Sequence, residues 1–503
     1  MTSQHCTKGP STQGSFAEHQ TESIDRSIFK AYDIRGIVDQ SLTEGAVEAI
    51  GEALGASALR LAVNRLVIGR DGRLSGPRLL DALARGITRH GVGVIDIGQV
   101  TTPMVYFATY ALGTGSGVSV TGSHNPPDYN GLKIMMAGET LYGESIQALY
   151  LHIQESTQLT KPQTKPEPEP RALDTGSASD LGATDPLRQT HDIWPAYRDR
   201  IVADIELSRP MSIAVDCGNG IAGAYAPELF RAIGCKVHTL FCDVDGEFPN
   251  HHPDPADPNN LKDLMGCLKN TDAEIGLAFD GDGDRLGVVT KSGKIIWPDR
   301  QLMLFAKDIL ERNPGSQIIF DVKCSRHVAR VVREAGGEPL MWQTGHSLIK
   351  AKLRETGAPF AGEMSGHFFF KERWYGFDDG LYAAARLLEV LSRFDDPSAL
   401  LEALPDSPST PELKLACAQG QHVQLVEQIK KQGLSAFPSA QSLLTIDGVR
   451  VEYEDGFGLA RPSNTTPVVV MRFEADDQRA LNRIQEEFRR AFLAANPGVQ
   501  LPF

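Results

Sequence analysis

In "AEIGLAFDGDGDRLGVV" three aspartates, Asp280, Asp282 and Asp284, stand at steps of two directly after an apolar run of strand character, Ile275 to Phe279. The intervening Gly281 and Gly283 let the backbone fold so that the three carboxylates converge. Converging carboxylates repel one another unless a cation sits among them, so the loop is a candidate site for a hard divalent ion. It is not an EF-hand, because the sixth and twelfth positions, which must be Gly and Glu there, are Arg285 and Lys291. Carboxylates without His or Cys favour Mg²⁺ over zinc, and Mg²⁺ keeps coordination positions open for phosphate oxygens. The plainer reading is a solvated acidic turn; the strand leading in and the Arg that follows speak against it.

Three further loops carry chemistry-bearing residues. In "VSVTGSHNPPDYNGLKI", Val118 to Ile134, the apolar run stops at Thr121, and Ser123 sits in a Gly- and Pro-bounded loop with His124 beside it and Lys133 downstream. A hydrolase triad does not fit: adjacent side chains in extended chain point apart, and no G-x-S-x-G elbow is present. A phosphate carried on Ser123 would be a dianion. Held against a metal ion on Asp280, Asp282 and Asp284, it would become electrophilic and open to transfer. Ser123 then reads as a phosphoryl relay, with Lys133 there to neutralise charge or move a proton. In "GFGLARPSNTTP", Arg461, Ser463, Asn464, Thr465 and Thr466 supply a guanidinium, hydroxyls, an amide and backbone N–H groups, a cradle of donors for a phosphate; such turns between strands are otherwise only turns. In "GEMSGHFFF", Glu363, Ser365 and His367 alternate and share one face if the segment is extended, an arrangement suited to vicinal sugar hydroxyls or simply a polar strand end.

These loops must be held by α/β elements. Strand, helix and strand recur three times: "RLVIGRDGR" with "LARGITRHG" and "VGVIDIGQVTTP", "SIAVDCGNG" with "LFRAIG" and "KVHTLFCDVDGEFP", and "QIIFDVKCS" with "VVREAGG" and "PLMWQTGHSL". Such βαβ units predict mainly parallel sheets flanked by helices, with ligands at the carboxyl ends of the strands. The fold class expected is α/β, with four domains around a central cleft. The first three share one mixed topology and the fourth is a smaller α+β unit. The expected boundaries are a disordered tail over 1–24, domains over 25–156, 191–297, 298–405 and 406–503, and a Pro-, Ser- and charge-rich linker over 157–190.

Composition sets the outer bounds. The 503 residues exceed one hydrophobic core, and 41% apolar with 23% charged is ordinary for a globular protein. A net charge of −14 argues against nucleic acid or an anionic membrane as partner, while small anionic substrates remain open because local clusters capture them. The seven scattered cysteines lack CxxC spacing, which favours a reducing compartment over disulfides or zinc. No apolar run reaches a membrane span and the N-terminus has no apolar signal core, so a cytoplasmic location is expected.

Taken in order, "FKAYDIRGIV", "TGSHNP", "DGDGDR", "TGHS", "GEMSGH" and "RPSNTTP" resemble the α-D-phosphohexomutases over nearly the whole chain, in their bacterial phosphomannomutase/phosphoglucomutase branch. The resemblance implies a phosphoserine at Ser123 and one Mg²⁺ held by Ser123, Asp280, Asp282 and Asp284. It places Arg285, Lys133, His124, Tyr32 and Arg35 at the reaction centre. Lys323 and His346 become substrate contacts of the third domain, and His367 and Lys133 candidates for general acid and base. The implied reaction is reversible exchange between hexose 1-phosphate and hexose 6-phosphate, on mannose and glucose. It proceeds through a 1,6-bisphosphate that turns around in the cleft, with glucose 1,6-bisphosphate or an equivalent as activator. Small-molecule hexose phosphates are the partners implied, with no obligate protein partner.

Three rivals stand beside this reading. A phosphoglucosamine mutase would share fold and mechanism, although Met364 within "GEMSGH" resembles the phosphomannomutase/phosphoglucomutase form. A metal-dependent sugar-phosphate phosphatase would pass the phosphoryl group to water, against the need of a closed cleft to exclude it. A non-catalytic sensor should have lost the serine or an aspartate, and all four are present.

Overall fold

The computed structural model describes residues 24–159 and 186–503. The tail expected over 1–24 lies, but for its last residue, outside these, as does most of the segment expected as a linker.

Each of the first three domains is built on the same four-stranded unit. In the first, Arg65–Arg70 pairs in parallel with Gly93–Gln99 on one side and Gly117–Val120 on the other, and Tyr129–Met136 closes the unit antiparallel. Ser212–Asp216, Lys236–Leu240, Ile275–Phe279 and Leu286–Thr290 repeat this arrangement. Gln317–Asp321, Glu338–Trp342, Phe360–Gly362 and Phe368–Phe370 repeat it again. The central parallel strands read as nearly continuous apolar runs because helices cover both faces. Val67 and Ile68, Ile213 to Val215 and Ile318 to Phe320 are accordingly all buried. The strand–helix–strand repeat of the sequence is thus the parallel part of each unit.

The fourth domain is a five-stranded antiparallel sheet in the order Leu413–Ala416, Val468–Ala475, Gly456–Pro462, Val449–Tyr453, Ser442–Leu444. The helices Gln421–Gln432 and Gln478–Ala495 cover it. Its apolar core is its own. By contrast, a single apolar cluster runs through the first three domains, from Val67 and Phe107 through Ile213 and Phe279 to Phe305 and Leu388. Between the third and fourth domains the apolar contact is small, Val322 with Phe457 and Leu459. Buried polar groups do the rest: Arg450 donates to the carbonyls of Val322 at 2.5 Å and Cys324 at 2.8 Å, and Arg472 pairs with Asp299 at 3.1 Å.

The linker expectation needs correction at its far end. Arg188–Thr190 adds in parallel to Gly93–Gln99 as an edge strand of the first sheet. Three polar residues carry no pattern to read; the strand is held by backbone pairing and by Arg188, which reaches Asp81 at 2.7 Å and Asp96 at 2.5 Å. At the near end the helix Glu144–Leu159 runs past the expected boundary at residue 156. No helix among the described residues is long and apolar enough to cross a membrane.

Candidate active site

The hairpin loop between the third and fourth strands is the same topological position in each unit, and in each it carries a functional sequence. In the first unit it is the Ser123 loop, in the second Asp280 to Arg285, in the third Glu363 to His367. The three loops touch. The Ser123 hydroxyl donates to Asp280 Oδ2 at 2.9 Å, and His367 Nε2 stands 3.3 Å from Asp284 Oδ1. Arg285 and His367 also form an isolated backbone bridge.

Ser123 is buried, and its φ of 47° lies in the left-handed region, a strained choice for a non-glycine residue. The strain is held by its surroundings. Its N–H donates to Thr121 Oγ1 at 2.8 Å, and Asp71 Oδ2 accepts from the Gly122 N–H at 3.1 Å. The Arg73 guanidinium donates to four carbonyls of the loop: Ser123 at 2.8 Å, Asn125 and Pro126 at 2.5 Å, and Tyr129 at 2.9 Å. A side chain at Gly122 would collide with that guanidinium, and one at Gly281 would lie 2.2 Å from the Ser123 carbonyl. The second glycine is therefore what lets the metal loop and the serine loop approach. The His252 ring, from the second domain, bonds the His124 carbonyl. His124 Nδ1 is 3.2 Å from Ser123 Oγ.

Asp280, Asp282 and Asp284 are fully buried, and one oxygen of each lies within 4.8 Å of the others. Lys133 Nζ bridges two of them, at 2.8 Å from Asp282 Oδ2 and 2.5 Å from Asp284 Oδ2. Burial and its two neighbours push the Asp280 carboxyl well above the usual range. Asp282 and Asp284 are pulled below it, because Lys133, joined at Asp284 by His367, outweighs their burial. Lys133 is raised in turn by the same two carboxylates against its own burial. Thr102 Oγ1 donates to Asp282 Oδ2 at 2.7 Å, while Asp282 Oδ1 is buried without a hydrogen-bond partner. An orphaned carboxylate oxygen beside two more carboxylates and a serine hydroxyl is an all-oxygen donor set, and it fits a hard divalent cation.

The Glu363, Ser365 and His367 side chains come together by a different route from the extended strand expected. The strands flanking them are Phe360–Gly362 and Phe368–Phe370, and the five residues between form a tight turn with Gly366 at φ 95°. Within it His367 Nδ1 lies 2.8 Å from Ser365 Oγ and 3.2 Å from Glu363 Oε2. Burial opposes the charged imidazole, but Asp284 prevails and raises His367 to about 9. His124 and His346 go the other way, held neutral by burial and by the cations around them.

The remaining expected residues ring this centre. Arg35 is paired with Asp33 and lies 3.4 Å from Asn125 Oδ1. Tyr32 donates its hydroxyl to the Thr344 carbonyl at 2.6 Å and accepts from the Asn464 amide, which ties the first, third and fourth domains together. His346 Nδ1 stands 3.6 Å from Asp378. Lys323 is buried and paired at 2.7 Å with Glu412 of the fourth domain. Arg461 is buried, with Nε 2.8 Å from Asp447 Oδ2. Asn464, Thr465 and Thr466 are exposed, and Ser463 Oγ lies 3.1 Å from the Thr466 hydroxyl. The cradle thus reaches the other loops through the third domain: Asp447, which holds Arg461, accepts from the Thr344 N–H at 3.0 Å, and the Gly345 N–H donates to Glu363 at 2.5 Å.

Several functional neighbours escaped the sequence reading. Asp216 and Asp321 end the first strand of their units, and Asp71 follows its own by one residue. Asp71 accepts from Gly122 and Asp321 from Met364 and Thr344, all in functional loops, whereas Asp216 accepts from Gly218 in its own turn. The repeat itself marks them. Arg73, two residues on, shares that signal, whereas Thr102, Asp447 and the Lys350–Asp378 pair at 2.8 Å carry none.

Comparison with known proteins follows the same division of the chain. Residues 26–160, 195–293 and 297–407 match the models for phosphoglucomutase/phosphomannomutase alpha/beta/alpha domains I, II and III, and residues 412–491 match that family's C-terminal domain. A phosphoglucomutase of Neisseria gonorrhoeae is 53% identical over 95% of this chain and 99% of its own length. A phosphomannomutase/phosphoglucomutase of Pseudomonas aeruginosa is 49% identical over 96% and 98%. A crystal structure of a family protein from Burkholderia thailandensis superposes with a TM-score of 0.86 at 56% identity, covering 95% of this chain and all of that one.

Proposed function

Since the chain belongs to the phosphoglucomutase/phosphomannomutase family and is an isomerase that exchanges phosphate between the 1- and 6-positions of glucose and mannose phosphates, we propose which residues carry that exchange. Ser123 is the phosphoryl carrier. The observation behind this is its place: a buried serine in strained backbone, its hydroxyl 2.9 Å from Asp280 inside the carboxylate cluster. Asp280, Asp282 and Asp284, with the group on Ser123, hold one Mg²⁺. When bound, the ion withdraws charge from the phosphoryl oxygens and opens phosphorus to attack.

The chain's own groups do the rest. Lys133, Arg285, Arg35 and the neutral His124 face the transferred phosphoryl group, and the cations among them stabilise its charge. Lys133 and His367, each bonded to Asp284, are the groups that give and take the proton of the attacking or leaving sugar hydroxyl. Glu363 and Ser365 accept and donate to the sugar hydroxyls, and Tyr32, Lys323 and His346 line its path. Arg461, Ser463, Asn464 and Thr465 grip whichever phosphate is not reacting. The cradle loop belongs to a different domain from the Ser123 loop, so it can hold one phosphate while the other reacts, and the bisphosphate turns around to present either end to Ser123. Glucose 1,6-bisphosphate acts as activator by restoring the phosphate to a serine that has lost it.

The substrates are tested by turnover with mannose, glucose and glucosamine 1-phosphates, Mg²⁺ and a trace of glucose 1,6-bisphosphate. Comparable kcat/KM for the first two and little for the third is expected. A preference for the amino sugar overturns the choice of substrate, and stoichiometric release of inorganic phosphate overturns the mutase.

A further inference from the structure

Behind the metal loop two thiols lie in contact. In the second domain Asp216 pairs in parallel with Leu240 at the carboxyl ends of adjacent strands, and the Cys217 N–H continues that ladder to the Leu240 carbonyl at 3.2 Å. Cys217 follows the first strand by one residue and Cys242 the second by two, and their Sγ atoms stand 3.7 Å apart. A disulfide bond is about 2 Å long, so sulfurs already 3.7 Å apart need to close by less than about 2 Å. Cys217 is buried and Cys242 partly exposed.

We propose that Cys217 and Cys242 are an oxidation site, a dithiol that a peroxide converts to a disulfide and so alters the wall that supports the metal loop. The first step uses the accessible sulfur. The Cys242 thiolate attacks one peroxide oxygen, the O–O bond breaks, and hydroxide leaves, taking a proton to become water. The sulfenic acid left on Cys242 is then attacked by the Cys217 sulfur. The S–S bond forms as the S–O bond breaks, and the departing oxygen carries away the Cys217 proton as a second water. Two thiols lose two electrons and two protons, and one hydrogen peroxide becomes two waters. The Cys242 thiol beside it and its own burial hold Cys217 protonated, consistent with this order of reaction.

The disulfide would act on the active site through backbone. The Ile221 N–H, four residues after Cys217, donates to the Gly281 carbonyl at 3.1 Å, and a Cβ on Gly220 would lie 3.0 Å from the Gly281 Cα. Gly223 packs directly on the Cys242 backbone. Closing the sulfurs therefore pulls the segment on which Gly281, between Asp280 and Asp282, is seated.

The test is treatment of the full-length, Mg²⁺-supplemented protein with a few equivalents of hydrogen peroxide. Free thiols are then alkylated, the tryptic peptides are mapped, and turnover is assayed in parallel. The expected result is a loss of about 2 Da in one cross-linked peptide pair joining Cys217 to Cys242, reversed by dithiothreitol. Turnover should fall at least about threefold and return on reduction. Cys242→Ser should keep the untreated activity, form no bridge and keep its activity in peroxide. Sulfinic acid at Cys242 with Cys217 still free, or a bridge that leaves turnover unchanged, overturns the proposal. The mass measurement reads out whether or not the mutase assignment holds.

Discussion

The serine and metal loops and the fourth-domain cradle loop are built differently. Around the metal loop Ser123, Lys133 and His367 are buried and bonded: Ser123 to Asp280 and Thr121, Lys133 to Asp282 and Asp284, His367 to Asp284 and Glu363. In the cradle only Arg461 is buried and paired, while Asn464, Thr465 and Thr466 are exposed, on a domain that has its own core and meets the third through a small apolar contact. Phosphoryl transfer needs charges fixed before the transition state forms, because reorganising them costs rate. Holding a phosphate that alternates between two sugar positions needs donors that can re-aim. The fixed loops should thus govern kcat and the adaptable loop KM.

Substitutions can break or sharpen that contrast. The largest effect is expected for Ser123→Ala, which should lower turnover at least about a thousandfold by removing the phosphoryl carrier. Calorimetric binding of glucose 6-phosphate should stay within a few-fold, and retained turnover would dissolve the distinction between the loops. Asp282→Asn should weaken Mg²⁺ at least about a hundredfold in a titration of activity against metal, since it removes one charged ligand of three. Arg73→Ala reaches the same loops indirectly, by freeing four carbonyls of the serine loop, and should cut kcat about thirtyfold with KM little changed. Arg461→Ala, at the cradle, should raise KM about tenfold and spare kcat. A fall in kcat instead would mean that the cradle, too, is fixed.

The smallest effect concerns the seam between third and fourth domains. Burial opposes ionisation of Asp299, but Arg472 and Arg300 overcome it and hold its carboxyl at about 2. A folded value below the unfolded one means that this stabilisation is complete above the unfolded value, about 4, and is lost as pH falls toward 2. Urea unfolding of wild type and Asp299→Asn should therefore differ by about 2 kcal/mol at pH 6, by about half of that near pH 3, and converge toward pH 2.

Much of this was legible in the residues. The three βαβ units show because their strands are apolar runs punctuated by Asp and Gly, and the metal loop shows because carboxylates at steps of two with glycines between have few other uses. What escaped has a physical cause. The joint origin of the Ser123, Asp280 and Glu363 loops at one hairpin position depends on an antiparallel fourth strand in each unit, which the strand–helix–strand repeat does not include. Glu363, Ser365 and His367 meet through a turn at Gly366, not through strand alternation, and period-two spacing cannot separate the two cases. Thr102 and Asp447 reach the cleft from other elements, at distances along the chain that no local pattern records.

The central claim is that Ser123 carries the phosphoryl group. Dephosphorylated protein is incubated with Mg²⁺ and glucose 1,6-bisphosphate labelled with ³²P, and the labelled peptide is mapped. The account predicts close to one label per chain, on Ser123, which chases into sugar phosphate on adding unlabelled glucose 6-phosphate. Label on another residue, or release of the label as inorganic phosphate, would contradict it.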